Sequence, residues 1–173
     1  MSYFTWRNRT KKPESCLTGE IERTIVGPKA GTLDSEVFVE MWVANRCKTS
    51  SSADIFTLDI EGDELGVKTE QAQIPLELTL FNPTTHAPIL RFYASEALYK
   101  KTEEQIKIGA TIDGWLAFRA YNATPDQLLA KGVEYTVSFF DARSTLHTTK
   151  PYVQPGAKRY WYLYVPGHPS GFR

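Results

Sequence analysis

Residues 111–121 read TIDGWLAFRAY, Thr111 to Tyr121, the most patterned stretch of the chain. Asp113-Gly114 has the composition of a turn, and the residues after it alternate. In an extended chain Leu116, Phe118 and Ala120 fall on one side, and Trp115, Ala117, Arg119 and Tyr121 on the other. The stretch predicts a core strand entered through an Asp-Gly turn, with Leu116 and Phe118 inward. It leaves open whether the face of Trp115 and Arg119 meets solvent, another segment or another chain.

The same alternation recurs on both sides of it. In SEVFVEMWVA (35–44), Val37, Val39, Met41 and Val43 share one face, and Phe38, Glu40 and Trp42 the other. In VEYTVSFFD, Val133, Tyr135, Val137 and Phe139 alternate against Glu134, Thr136, Ser138 and Phe140. A turn at Asp141-Ala142-Arg143-Ser144 should return TLHTT antiparallel to it. EIERTIVG (20–27), DIFTLDIEG with Ile55, Leu58 and Ile60, IPLELTLF, ILRFYA, QIKIG and RYWYLYV are further strand candidates, and NPTTHAP joins IPLELTLF and ILRFYA as a hairpin. Helix is scarce. Thr124, Pro125 and Gln127 form a cap, first-turn proline and capping-box set for a helix over 125–131, with Gly132 beyond it. SEALYKK, capped by Ser95, is a second short candidate.

Seven to nine short strands with irregular connections and short connector helices predict an all-β chain, an immunoglobulin-like antiparallel β-sandwich with a jelly roll as the alternative. The expected organisation is a basic arm over 1–19, one sandwich domain over 20–165 and a tail over 166–173.

With 173 residues, 42% hydrophobic, the chain is long enough to bury a sizeable core. Lys+Arg and Asp+Glu each number 20, so the formal net charge is zero. That balance disfavours nucleic acid and gives no case for an anionic membrane. Arg7, Arg9, Lys11 and Lys12 interleave with Tyr3, Phe4 and Trp6 near the start, a thin arm for neutralising phosphates. No apolar run reaches membrane-spanning length and residues 1–20 lack a signal-peptide core, so a soluble, cytoplasmic chain is expected. Cys16 and Cys47 lack metal-site spacing. They are one disulfide if the protein is exported, and two free thiols in a reducing compartment.

Chemistry-bearing motifs are absent: no GxSxG, no phosphate loop, no HExxH. His86, His147 and His168 lie in separate segments. Catalysis would require the fold to bring His147 to Asp141 or Cys47. The acids Asp59, Glu61 and Asp63 lack calcium-loop spacing and read as an exposed hairpin turn. No enzyme, metal or cofactor is expected.

The aromatics on the second strand faces are more informative. Phe38, Trp42, Trp115, Arg119, Tyr121 and Phe140 are the candidate binding set, since Trp, Tyr and Arg carry much interface energy. The N-terminal segment or the helix at 125–131 would cover these side chains if they are structural. Tyr160 and Tyr162 on one face of RYWYLYV, with Trp161 on the other, are the alternative, sugar-stacking set.

The run from Ile106 to His147 resembles the late strands of bacterial immunoglobulin-like accessory domains. Gly109, Gly114, Trp115, Leu116, Phe118 and Asp141 carry the likeness, with Asn45 closing an earlier strand; together they cover about half of the chain. The resemblance implies a sandwich with a binding or assembly role, and transfers no catalytic residue. Cys16 and Cys47 do not bracket a central Trp as antibody domains require. The expected function is non-enzymatic protein recognition or self-association through the aromatic face. The alternatives are a jelly-roll structural subunit, for instance of a viral capsid, and a carbohydrate-binding module.

Overall fold

The computed structural model describes residues 16–29, 31–63, 65–74, 77–82 and 84–155, with the backbone of Leu163–Tyr164. Its strands are β1 (Leu17–Pro28), β2 (Ser35–Asn45), β3 (Ala53–Gly62), β4 (Leu65–Gly66), β5 (Thr69–Ala72), β6 (Glu77–Phe81) and β7 (Pro88–Tyr93). A 3₁₀ turn (Ala94–Glu96) and helix α1 (Leu98–Glu103) lead into β8 (Thr111–Ala120). Helix α2 (Pro125–Leu128) is followed by β9 (Glu134–Asp141), β10 (Leu146–Thr148), β11 (Tyr152–Val153) and β12 (Leu163–Tyr164).

The strands form three antiparallel sheets. The first has the order β1-β2-β8-β5, the second β10-β9-β3-β4 with β11 also on β9, and the third β12-β6-β7. The first two pack face to face as a β-sandwich. Val37, Val39, Met41, Val43, Leu116, Phe118 and Ala120 of the first sheet meet Phe56, Leu58, Ile60, Tyr135, Val137 and Phe139 of the second. The inward sets read from alternation in β2, β8 and β9 are thus the core. Tyr135 keeps its hydroxyl satisfied there by donating to Leu128 O at 2.9 Å, and burial pushes its phenol pKa up.

The third sheet adds a layer that alternation alone does not show. Leu78, Leu80 and Phe92 pack with Ile74 on the outer face of the first sheet, against Ile25, Phe38, Trp115 and Ala117. The first sheet is therefore a middle layer, covered on both faces across β2 and β8. Strands buried on two faces carry near-continuous apolar runs, which is why FVEMWVA and GWLAF hold large apolar residues on both sides.

Several local expectations change. Asp113 and Gly114 are not a turn: both lie inside β8, opposite Trp42 and Met41 of β2. Gly114 is required by packing. A Cβ there would stand 2.7 Å from Glu96 O and 2.9 Å from Leu98 Cα, both backbone atoms that cannot swing aside. The turn before β8 falls at Gly109, whose φ of 75° suits glycine. QIKIG is not a strand; Ile106 makes an isolated bridge to Ser51. Ser95 lies in the 3₁₀ turn, and Ala97, not Ser95, precedes α1. Helix α2 has the expected Thr124–Gln127 capping box, with Thr124 N donating to Gln127 Oε1 at 2.9 Å, but ends three residues early. β1 begins at Leu17, inside the segment assigned to the arm. In β3 the inward residue is Phe56 rather than Ile55, because a bulge interrupts pairing between Asp54 and Thr57.

Candidate functional site

The candidate aromatic face does not stay together. Phe38 and Trp115 are buried against Leu78, Leu80 and Phe92 of the third sheet, and α2 packs in the other cluster; the N-terminal segment lies outside the described residues. Trp115 is 6% exposed. Its ring stacks on Phe92 with centroids 5.3 Å apart and planes 5° from parallel. The Arg23 guanidinium lies 5.0 Å above its centroid, a cation–π contact. Arg23 also pairs with Glu40. Trp42, on the same face beyond the hairpin's cover, is partly exposed in a cleft with Glu22, Arg46, Thr111 and Asp113.

Arg119 and Tyr121 serve a different assembly. Arg119 forms an ion pair with Asp34, its Nε 2.8 Å from Oδ2. The other Asp34 oxygen accepts from Asn122 N at 3.0 Å. The Asn122 amide and then Arg119 hold the Asp34 carboxyl below the usual carboxylate range. Arg119 also lies 4.6 Å over the Tyr121 ring, and Tyr121 donates to Glu70. The network ties the β1–β2 loop to the end of β8 and to β5.

Phe140 is separated from all of these. It stands on the outer face of the second sheet, half-buried, between Leu146 of β10 and Asp54 of β3. Beside it the β3 bulge turns Ile55 outward. Ile55 has φ of 51° and is 64% exposed, and Leu146 is 55% exposed. Two exposed apolar residues thus lie near Phe140: Leu146 pairs with it from β10, and Ile55 follows Asp54, its partner on β3. Further along the same face Glu61 sits directly opposite Glu134.

At one end of the sandwich, loop 46–51 faces the turn 141–145. Cys16 and Cys47 are joined as a disulfide there, with Cα atoms 4.7 Å apart. Asn45 anchors the loop. Its Nδ2 donates to Thr49 O at 3.0 Å and Ile106 O at 2.8 Å, and its Oδ1 accepts from Cys47 N at 2.8 Å. The fold also brings His147 to Asp141. His147 Nε2 is 2.9 Å from Asp141 Oδ2 and Nδ1 is 3.0 Å from Leu17 O, so the ring links the second sheet to the first. Burial pushes the Asp141 carboxyl up, but hydrogen bonds from His147 and the Thr145 and Arg143 amides outweigh it and hold the pKa below its ordinary value.

The His147–Asp141 pair, in the sequence only a condition for catalysis, is formed by the fold. The signal for it was present: Asp141 continues the inward series Val137–Phe139, and His147 pairs with Phe139 across the hairpin. The Ile55 bulge had no such signal. Tyr160, Trp161 and Tyr162 lie outside the described residues, as do Tyr3, Phe4, Trp6 and the bases of the N-terminal arm. Among the described residues no group of His, Cys, Asp and Glu is arranged to hold a metal, and no helix is long and apolar enough to cross a membrane. No protein-family model, curated protein or solved structure matches the chain.

Proposed function

We propose that the chain is a non-enzymatic protein-recognition or assembly module, and that its contact surface is the outer face of the second sheet at Ile55, Phe140 and Leu146. The observation that carries this reading is Ile55. A β-branched residue in the left-handed region costs about 1–3 kcal/mol. An exposed side chain gains no burial within the domain to offset it. Burial against a partner would. Single exposed apolar residues are ordinary, but exposed Ile55 and Leu146 near a half-buried Phe140 gather apolar surface at one end of this sheet. The acids along the same face, Asp54, Asp59, Glu61 and Glu134, are exposed and form no ion pair among the described residues. Like charges facing across a ladder repel. The fitting partner is a protein surface with an apolar centre flanked by Lys or Arg.

The non-catalytic side of the proposal rests on His147. The ring is 4% exposed and both its nitrogens are engaged, with Leu17 O and Asp141 Oδ2, so it is not presented to a substrate. The Cys47 sulfur is committed to the disulfide. The binding role implied by the immunoglobulin-like resemblance points the same way.

The test is Ile55→Gly, which relieves the backbone and removes the anchor. Thermal stability should hold or rise, by about 1 kcal/mol at most. Partner cross-links to β3, β9 and β10, identified by mass spectrometry, should be lost. Sedimentation of the wild-type chain decides whether the partner is a second copy. Unchanged cross-linking in a folded Ile55→Gly, Leu146→Glu double variant would overturn the proposal.

A further inference from the structure

The space between loop 46–51 and turn 141–145 is a cavity of about 420 Å³, within the usual size of a small-molecule site. Its lining is unlike the balanced composition of the chain. Arg46, Lys48 and Arg143 contribute three cations, against the single carboxylate of Asp141. None of the three is ion-paired among the described residues. Arg46 stands on the wall shared with the Trp42 cleft, where Glu22 and Asp113 lie, yet pairs with neither.

Asp141 offsets one of the three charges, leaving the lining with an excess of cations, and its oxygens are engaged by its own turn rather than by the side chain of any of the three. Oδ1 accepts from Arg143 N at 2.8 Å and Thr145 N at 2.9 Å, and Oδ2 faces His147 Nε2. Thr49, Ser50 and Thr145 add hydroxyl-bearing residues to the lining. The walls are held in place on both sides. The disulfide and the three Asn45 hydrogen bonds fix the loop, and the Asp141 carboxylate fixes the turn. An excess of cations around one cavity favours an anion there, and walls held in place lower the ordering cost of binding one.

We propose that this cavity binds a tetrahedral oxyanion, the phosphate or sulfate group of a small molecule, through Arg46, Lys48 and Arg143. Arginine forks and hydroxyls match the several acceptor oxygens of such a group. The site adjoins the Ile55–Phe140–Leu146 face, since Asp141 follows Phe140 and Thr145 and His147 flank Leu146, but it is lined by none of those three and does not depend on the role proposed for them.

The experiment titrates the full oxidised chain with sodium phosphate and sodium sulfate against sodium chloride at matched ionic strength, reading heat by calorimetry and the thermal midpoint. Phosphate and sulfate should bind saturably and raise the midpoint, since a ligand of the folded state stabilises it by mass action. Chloride should not. Arg143→Gln or Arg46→Gln should weaken binding about tenfold each, as expected for loss of one charge-assisted contact. The Arg46→Gln, Lys48→Gln, Arg143→Gln triple variant should lose binding while its midpoint in chloride is equal to or above that of wild type. Glucose 6-phosphate, glucosamine 6-sulfate and adenosine 5′-monophosphate distinguish the source. Tighter binding of one over the free anion identifies the carrier, and equal binding identifies the free anion as ligand. A midpoint shift no larger than that of chloride, or saturable binding retained by the triple variant, would overturn the proposal.

Discussion

Replacing Trp115 by alanine separates a structural aromatic from a recognition residue. The indole is stacked on Phe92 at 5.3 Å, covered by the Arg23 guanidinium and 6% exposed. Truncating a buried Trp costs about 3–5 kcal/mol, because transfer and cavity terms add. The stacking contribution, about 0.5–1.5 kcal/mol, lies within that figure. A domain holds only about 5–15 kcal/mol in total, so the loss is a large fraction of it. For a chain of this length it lowers the thermal midpoint by roughly 6–20 °C. The assay is urea unfolding followed by circular dichroism, with the slope checked against wild type so that a shifted midpoint reports stability. Trp42→Ala is the companion variant, and at its partly exposed position should cost about 1 kcal/mol. A Trp115→Ala protein within about 0.5 kcal/mol of wild type would behave as a surface variant. That result would refute the third layer's cover over this face.

Gly114→Ala should destabilise by at least about 1–3 kcal/mol, because its Cβ meets the backbone of Glu96 and Leu98 and forces the connector outward; urea unfolding reads it. Cys16→Ser with Cys47→Ser opens a link of sequence separation 31. Loop entropy sets that loss at about 3–4 kcal/mol, and dithiothreitol should lower the midpoint of wild type but not of the variant. Acid should weaken the fold through Asp34 and Asp141, whose carboxyls are held below their ordinary values. Such groups stabilise fully above the unfolded carboxylate pKa of about 4, and the contribution is lost as pH falls through their lower folded values. Asp34→Asn should flatten the pH dependence between about pH 4 and 2 in a denaturation series.

Much of the fold was legible because alternation is a property of single strands. The inward sets of β2, β8 and β9 were readable as written, and so was the β9–β10 hairpin. What was not legible depends on approach between elements. Asp113-Gly114 has turn composition, yet glycine is needed there because the backbone at Glu96 and Leu98 comes close. Phe38 and Trp115 mark a second apolar face, but nothing local says that the five- and six-residue strands β6 and β7 cover it. Ile55 resembles its neighbours Leu58 and Ile60 in sequence and is turned out by a bulge. Of the candidate site residues, Phe140 was read on the correct face. Arg119 and Tyr121 were read as outward, and their partners Asp34 and Glu70 come from loops and strands far along the chain.

The central claim is that the aromatics of the middle sheet are internal while Ile55, Phe140 and Leu146 form the open face. Hydroxyl-radical footprinting of the native chain, read residue by residue by mass spectrometry against the urea-unfolded chain, tests it directly. Phe38, Phe92 and Trp115 should be strongly protected and Ile55 and Leu146 rapidly modified, with Phe140 between. Modification of Trp115 at the unfolded rate, with Ile55 and Leu146 protected in the isolated chain, would contradict it.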